Sequence, residues 1–205
     1  MKKILLSFFT IALLAAACGS SSTTTSVTNQ SSPASGGETT VAAPTPSSAF
    51  TSATDGFTIN FPGQPAISQS SFISPTAGAI PETEYRAKYT GGSENAYYTV
   101  YVYHYPNNYQ FQSSYLATAL QNFYGVVKAD YPGSTMGSPN SSSLLGGAAL
   151  SALITIPLKT GSSTVNTPDY VIMTTKNQEA FIISTYGIPV SDYNAFVSSF
   201  QYFNQ

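Results

Sequence analysis

Residues 97–105 read YYTVYVYHY: five tyrosines, two valines, a threonine and the chain's one histidine in nine positions. Tyr and Val are among the best strand formers, so this stretch predicts a strand. Alternate residues of a strand share a face. Tyr97, Thr99, Tyr101, Tyr103 and Tyr105 therefore point one way, and Tyr98, Val100, Val102 and His104 the other. The valine face is the expected bed for the long helix that follows in the chain. The tyrosine face has two readings. Tyr97, Tyr101 and Tyr103 could form a shallow platform that stacks on sugar rings or on a partner peptide, since Tyr offers a flat apolar body and a hydroxyl. Alternatively they pair across strands with Tyr85, Ala87 and Tyr89 and are ordinary sheet residues. Strand propensity alone accounts for the composition, so the second reading is preferred. His104 likewise reads as a strand-end residue.

Working outward, Glu84 to Tyr89 forms a second strand, turned into the first by Gly91-Gly92-Ser93 to make a hairpin. Upstream, Asp55-Gly56 is a turn, and Phe57 to Phe61 alternates at period two before Pro62-Gly63. Downstream the period changes. Leu116, Leu120, Phe123 and Val127, with Ala119, fall on one stripe of a long helix that ends before Pro132-Gly133. Leu150 to Leu158 is strand-like, with a bulge or bend suggested at Gly146-Gly147. Asp169 to Thr175 and Ala180 to Tyr186 read as a hairpin. Ser191 offers an N-cap and Asp192 a first-turn charge for a short helix that buries Tyr193, Phe196, Val197 and Phe200. Hairpins imply antiparallel pairing, so the expected class is α+β: an antiparallel sheet of about six strands flanked by helices as an α/β/α sandwich, spanning residues 49–205.

The stretches DGFTINFPGQP (55–65) and FVSSFQYF (196–203), with the strand-rich segment before the second, resemble PsbP-like domains. That superfamily includes the extrinsic P subunit of photosystem II and an import factor that binds the GTPase Ran. The resemblance covers nearly all of residues 50–203. It implies an antiparallel sheet between helices and an accessory, assembly or protein-binding role, and it carries no catalytic residue and no cofactor.

The N-terminus is read as an address and an anchor. Lys2 and Lys3 precede a short apolar run from Ile4 to Leu14, and Ala15, Ala16 and Ala17 lead to Cys18, the one cysteine of the chain. This is a signal peptide over residues 1–17. It resembles the bacterial lipoprotein lipobox, with Ala15 where Leu is preferred and Leu14 one place further out. The resemblance implies that Cys18 is the lipid attachment site, the acyl chains being palmitate-like. Two or more such chains make membrane anchoring stable, at about 0.8 kcal/mol per buried methylene. Gly19, where inner-membrane lipoproteins often carry Asp, leans to the outer membrane. Residues 18–48 are a Ser/Thr/Pro-rich tether with almost nothing to pack, expected to stay disordered and to reach about 30 Å. The expected location is therefore extracytoplasmic, anchored to a bacterial cell envelope.

Charged residues make up 8% of the 205. That is too few for a nucleic-acid surface, which needs clustered Lys and Arg. The scattered Arg86, Lys88, Lys128, Lys159 and Lys176 also argue against an electrostatic lipid surface. One Cys and one His cannot build a zinc site or a thiol–imidazole pair. Glu82 and Glu84 are the nearest candidates for calcium, with no third acid close by. A hydrolase would have to assemble two of Asp55, Glu82, Glu84, Glu94 and Asp130 in space. His104 is the one candidate base for a triad, and no G-x-S-x-G or phosphate-binding glycine motif is present. The sequence thus favours a non-catalytic envelope lipoprotein that binds another protein, with a glycan- or cell-wall-binding module as the alternative.

Overall fold

The computed structural model describes residues 49–74, 76–89, 96–160 and 162–203. All the described residues belong to one compact unit. The signal peptide, Cys18, the whole tether, Glu94 and the Gly91-Gly92-Ser93 turn lie outside the described residues.

Among those residues there are eleven strands and two helices. In chain order they are β1 (Phe50–Ser52), β2 (Phe57–Ile59), β3 (Ala66–Ser74), β4 (Gly78–Lys88), β5 (Tyr97–His104), α1 (Tyr115–Asp130), β6 (Thr135–Met136), β7 (Asn140–Leu144), β8 (Gly147–Thr160), β9 (Ser163–Lys176), β10 (Glu179–Tyr186), α2 (Val190–Ser198) and β11 (Gln201–Tyr202). Eight strands form one antiparallel sheet in the order β3-β4-β5-β10-β9-β8-β6, with β7 paired to β8 off this path. A second sheet has the order β1-β2-β11.

The two expected hairpins are present, β4 with β5 and β9 with β10. Gly146 serves a third. Leu145 and Gly146 both have positive φ, 58° and 73°, which suits the two-residue turn joining β7 to β8.

The expectation of a six-stranded sheet between helices is corrected. The protein is mostly β, and it is not a helix-flanked sandwich. One face of the large sheet carries α1, whose Leu116, Ala119, Leu120, Phe123 and Val127 meet Ile154, Ile156, Val171, Met173 and Ile182. The other face is covered by the small sheet together with α2. Phe57, Ile59, Phe61, Phe196 and Phe200 pack there on Tyr85, Tyr98, Val100, Val102, Phe181 and Ile183. Short strands contributed by both ends of the domain thus replace a covering layer of helices. The prediction also placed the long helix on the wrong face of the opening strand. Val100 and Val102 meet the small sheet and α2, while Tyr101 and Tyr103 lie toward α1. The small side chains of the valine face leave room for the phenylalanines of β2 and α2.

At α2 the cap is Pro189 rather than Ser191, which sits in the first turn and donates to Asp192 Oδ1 at 3.2 Å. Asp192 lies in the first turn as the sequence indicated, and it accepts from the Tyr89 hydroxyl at 3.2 Å.

Candidate functional site

The tyrosines of β5 are occupied with one another and with the fold. Tyr101 meets Phe123 of α1 edge-on at 6.4 Å and stacks beside Tyr103 at 6.5 Å. Tyr103 meets Phe72 of β3 at 5.7 Å. Burial pushes both phenols well above their ordinary range. Tyr97 stands at the strand end with the Arg86 guanidinium 5.7 Å above its ring. Tyr105 gathers Tyr109, Phe111 and Tyr115 around it, within 4.5–5.7 Å, and shares a 2.9 Å hydroxyl contact with Tyr115. Tyr97, Tyr101 and Tyr103 do share a face, but α1 and β3 lie against two of the three.

The densest polar constellation surrounds Asp55, which the turn between β1 and β2 carries into the interior at 1% exposure. The Asp55 amide N–H donates to Ser52 Oγ at 3.2 Å. Ser52 Oγ meets the Tyr85 hydroxyl at 2.7 Å, and that hydroxyl donates to Asp55 Oδ2. Because Tyr85 spends its proton on the carboxylate, Ser52 is the donor to Tyr85, and the loop of bonds closes on Asp55. On the other side, His104 Nε2 lies 3.1 Å from Asp55 Oδ1, and His104 Nδ1 lies 3.3 Å from Glu179 Oε1. Contact with Asp55 first, and with Glu179 second, lifts His104 to about 9, against a smaller opposing effect of burial.

Both ring nitrogens face carboxylates, which favours the imidazolium. A general base needs a free lone pair near its working pH, and these contacts work against one at His104. Nor can Asp55 and Glu179 converge on one ion, since the ring stands between them. Among the described residues no group of three or more His, Cys, Asp or Glu is placed to hold a metal ion.

The other acids are also committed. Glu84, buried, pairs with Arg86 and accepts from Ser68 Oγ at 3.0 Å, and Arg86 in turn donates to the Tyr101 hydroxyl at 3.3 Å. Glu82 is pushed up by burial, with Tyr103 and Ser70 as hydrogen-bond partners that oppose the shift. Alternation along β4 puts Glu82 and Glu84 on the opposite face from Tyr85 and so from Asp55. Asp130 is an exposed residue at the end of α1.

Asp169 and Glu179 carry charge that the sequence reading passed over. Asp169 is buried and raised to about 6 by that burial, offset in part by a 2.6 Å bond from Ser184. Its signal was available: Asp169 shares a strand face with Val171 and Met173, where an acid is out of place.

No family model and no curated protein matches the sequence. The structure is similar to the solution structure of cyanobacterial PsbP (CyanoP) from Synechocystis sp. PCC 6803. The TM-score is 0.54 and the identity 13%, over 82% of this chain and 98% of that one. The fold is PsbP-like.

Proposed function

We propose that the chain is an exported lipoprotein, anchored through Cys18, whose PsbP-like domain acts by binding another envelope protein in an accessory or assembly role. The observation that supports the non-catalytic part of this reading is the double engagement of His104. The residue best suited to acid–base work is spent on clamping the turn at Asp55 to the large sheet. The PsbP-like fold agrees with a non-enzymatic, accessory-type domain. The glycan alternative, using Tyr97, Tyr101 and Tyr103, draws no comparable support, because stacking on sugar needs an open ring face.

Crosslinking in cells of the source organism, followed by mass spectrometry, recovers one envelope protein reproducibly if the reading is right. Recovery of abundant bystanders alone overturns it. Anchoring is tested separately: the Cys18→Ser chain leaves the membrane fraction, and its continued retention sinks the lipid assignment.

A further inference from the structure

The edge strand β3 differs from the opposite edge of its sheet. Open strand edges present unpaired N–H and C=O groups, and natural proteins shield them by shortness, charge, proline or bulges. The far edge follows that rule by shortness, being broken into β6 of two residues and β7 of five. β3 does not: AISQSSFIS is nine residues long and carries no charged residue and no proline. Eight of the nine are exposed, and its register with β4 runs unbroken from Ala66↔Arg86 to Ser74↔Gly78. Ile67 and Ile73 stand 55% and 76% exposed, among the most exposed large apolar side chains of the described residues.

Their spacing identifies an occupant. Residues directly opposite in an antiparallel pair share parity, and a two-fold axis through one residue pairs positions equally spaced on either side of it. An axis at Ser70 sets Ile67 of one copy opposite Ile73 of the other, twice. It also sets Gln69 opposite Ser71, Ser68 opposite Phe72 and Ala66 opposite Ser74. No like charges face each other in that register, and both exposed isoleucines gain an apolar cross-strand neighbour.

We propose that β3 is a self-association edge, on which a second copy of this chain pairs antiparallel about Ser70, so that the two large sheets run on as one. The inference stands apart from the accessory role, because it concerns only this chain and a single purified component tests it.

The full-length chain in detergent, carrying Cys18→Ser so that an introduced thiol is the sole one, reads the register by disulfide formation under mild oxidation. Opposed residues lie about 4.5–5.5 Å apart at Cα, within the range a disulfide spans. Ser70→Cys is expected to give a disulfide-linked dimer. Ile67→Cys alone is expected to give little, because the two copies of residue 67 lie about 20 Å apart along the strands. Ile67→Cys with Ile73→Cys restores the link. Adding Ile67→Lys and Ile73→Lys to the Ser70→Cys chain places like charges opposite each other, and dimer yield falls at least tenfold while the circular dichroism spectrum is kept. Failure of Ser70→Cys to link, equal linking by Ile67→Cys alone, or a yield indifferent to the lysines overturns the proposal. So does capture of a different protein by Ser70→Cys in cells in place of a second copy.

Discussion

His104 Nε2 lies 3.1 Å from Asp55 Oδ1, and this ion pair fastens the turn between β1 and β2 to β5 of the large sheet. Asp55 Oδ1 has no other partner among the described residues, so the imidazolium alone compensates that buried oxygen. His104 is raised from 6.5 to about 9 in the fold. A base held above its unfolded value contributes stability that is fully present below about pH 6.5 and is lost as pH rises toward 9. Urea midpoints taken at pH 6, 7.5 and 9 therefore fall in that order. His104→Phe lowers stability by about 2 kcal/mol at pH 6 and flattens the pH slope, because an uncompensated buried carboxylate remains. A slope unchanged in the variant excludes His104 as its source.

Asp169 works in the opposite sense. Burial raises it from 3.8 to about 6, so the folded state holds its proton more tightly than the unfolded chain does. Stability associated with this group is greatest below about pH 3.8 and declines as pH rises through 6. Asp169→Asn keeps an acceptor for Ser184 and removes the charge. It is expected to stabilise the protein by about 1–3 kcal/mol at pH 7 and by almost nothing near pH 3.5. Thermal unfolding at the two pH values decides the matter, and an equal effect at both rejects it.

Arg86 bridges Glu84 and the Tyr101 hydroxyl. Arg86→Ala strands a buried carboxylate, at an expected cost of about 1–3 kcal/mol, moderated because Arg86 is itself partly exposed. Adding Glu84→Gln recovers much of the loss. A double-mutant cycle by urea denaturation measures the coupling, and strict additivity rules it out.

Gly56 has φ +61°, and a Cβ there would lie 3.0 Å from the Phe203 carbonyl oxygen. Gly56→Ala is therefore strained in both backbone and packing, and is expected to cost more than about 1 kcal/mol. Gly125 has open space within α1, so Gly125→Ala is expected to stabilise by up to about 1 kcal/mol. Paired urea titrations should show the two shifts with opposite signs.

The features legible in the sequence rest on local chemistry. The apolar stripe from Leu116 to Val127 and the turn at Lys176 to Glu179 depend on residues close in the chain, and both are present. The missed elements depend on distant partners. β3 contains four serines and a glutamine, which carry little strand propensity, and it forms because β4 offers a long ladder. β1 and β11 are two or three residues long and exist only through β2. The same limit applied to chemistry. His104 could be singled out as the one imidazole, yet its carboxylate neighbours stand 49 positions before it and 75 after it, at Asp55 and Glu179. Which face of YYTVYVYHY received α1 was likewise set by the bulk of Phe57, Phe196 and Phe200, far along the chain.

Gln201 pairs with Thr58, and Phe203 N–H reaches the Gly56 carbonyl at 2.8 Å. The last described residues are thus stitched to the first, on the layer that shelters Phe57 and Phe181. Forming so distant a contact carries a loop-closure cost that nearby hairpins avoid. Closure over the phenylalanines therefore waits for residues 201–203 to reach Gly56 and Thr58. Loss of Gln201 to Phe203 would unroof the same aromatic bed as damage near Phe57.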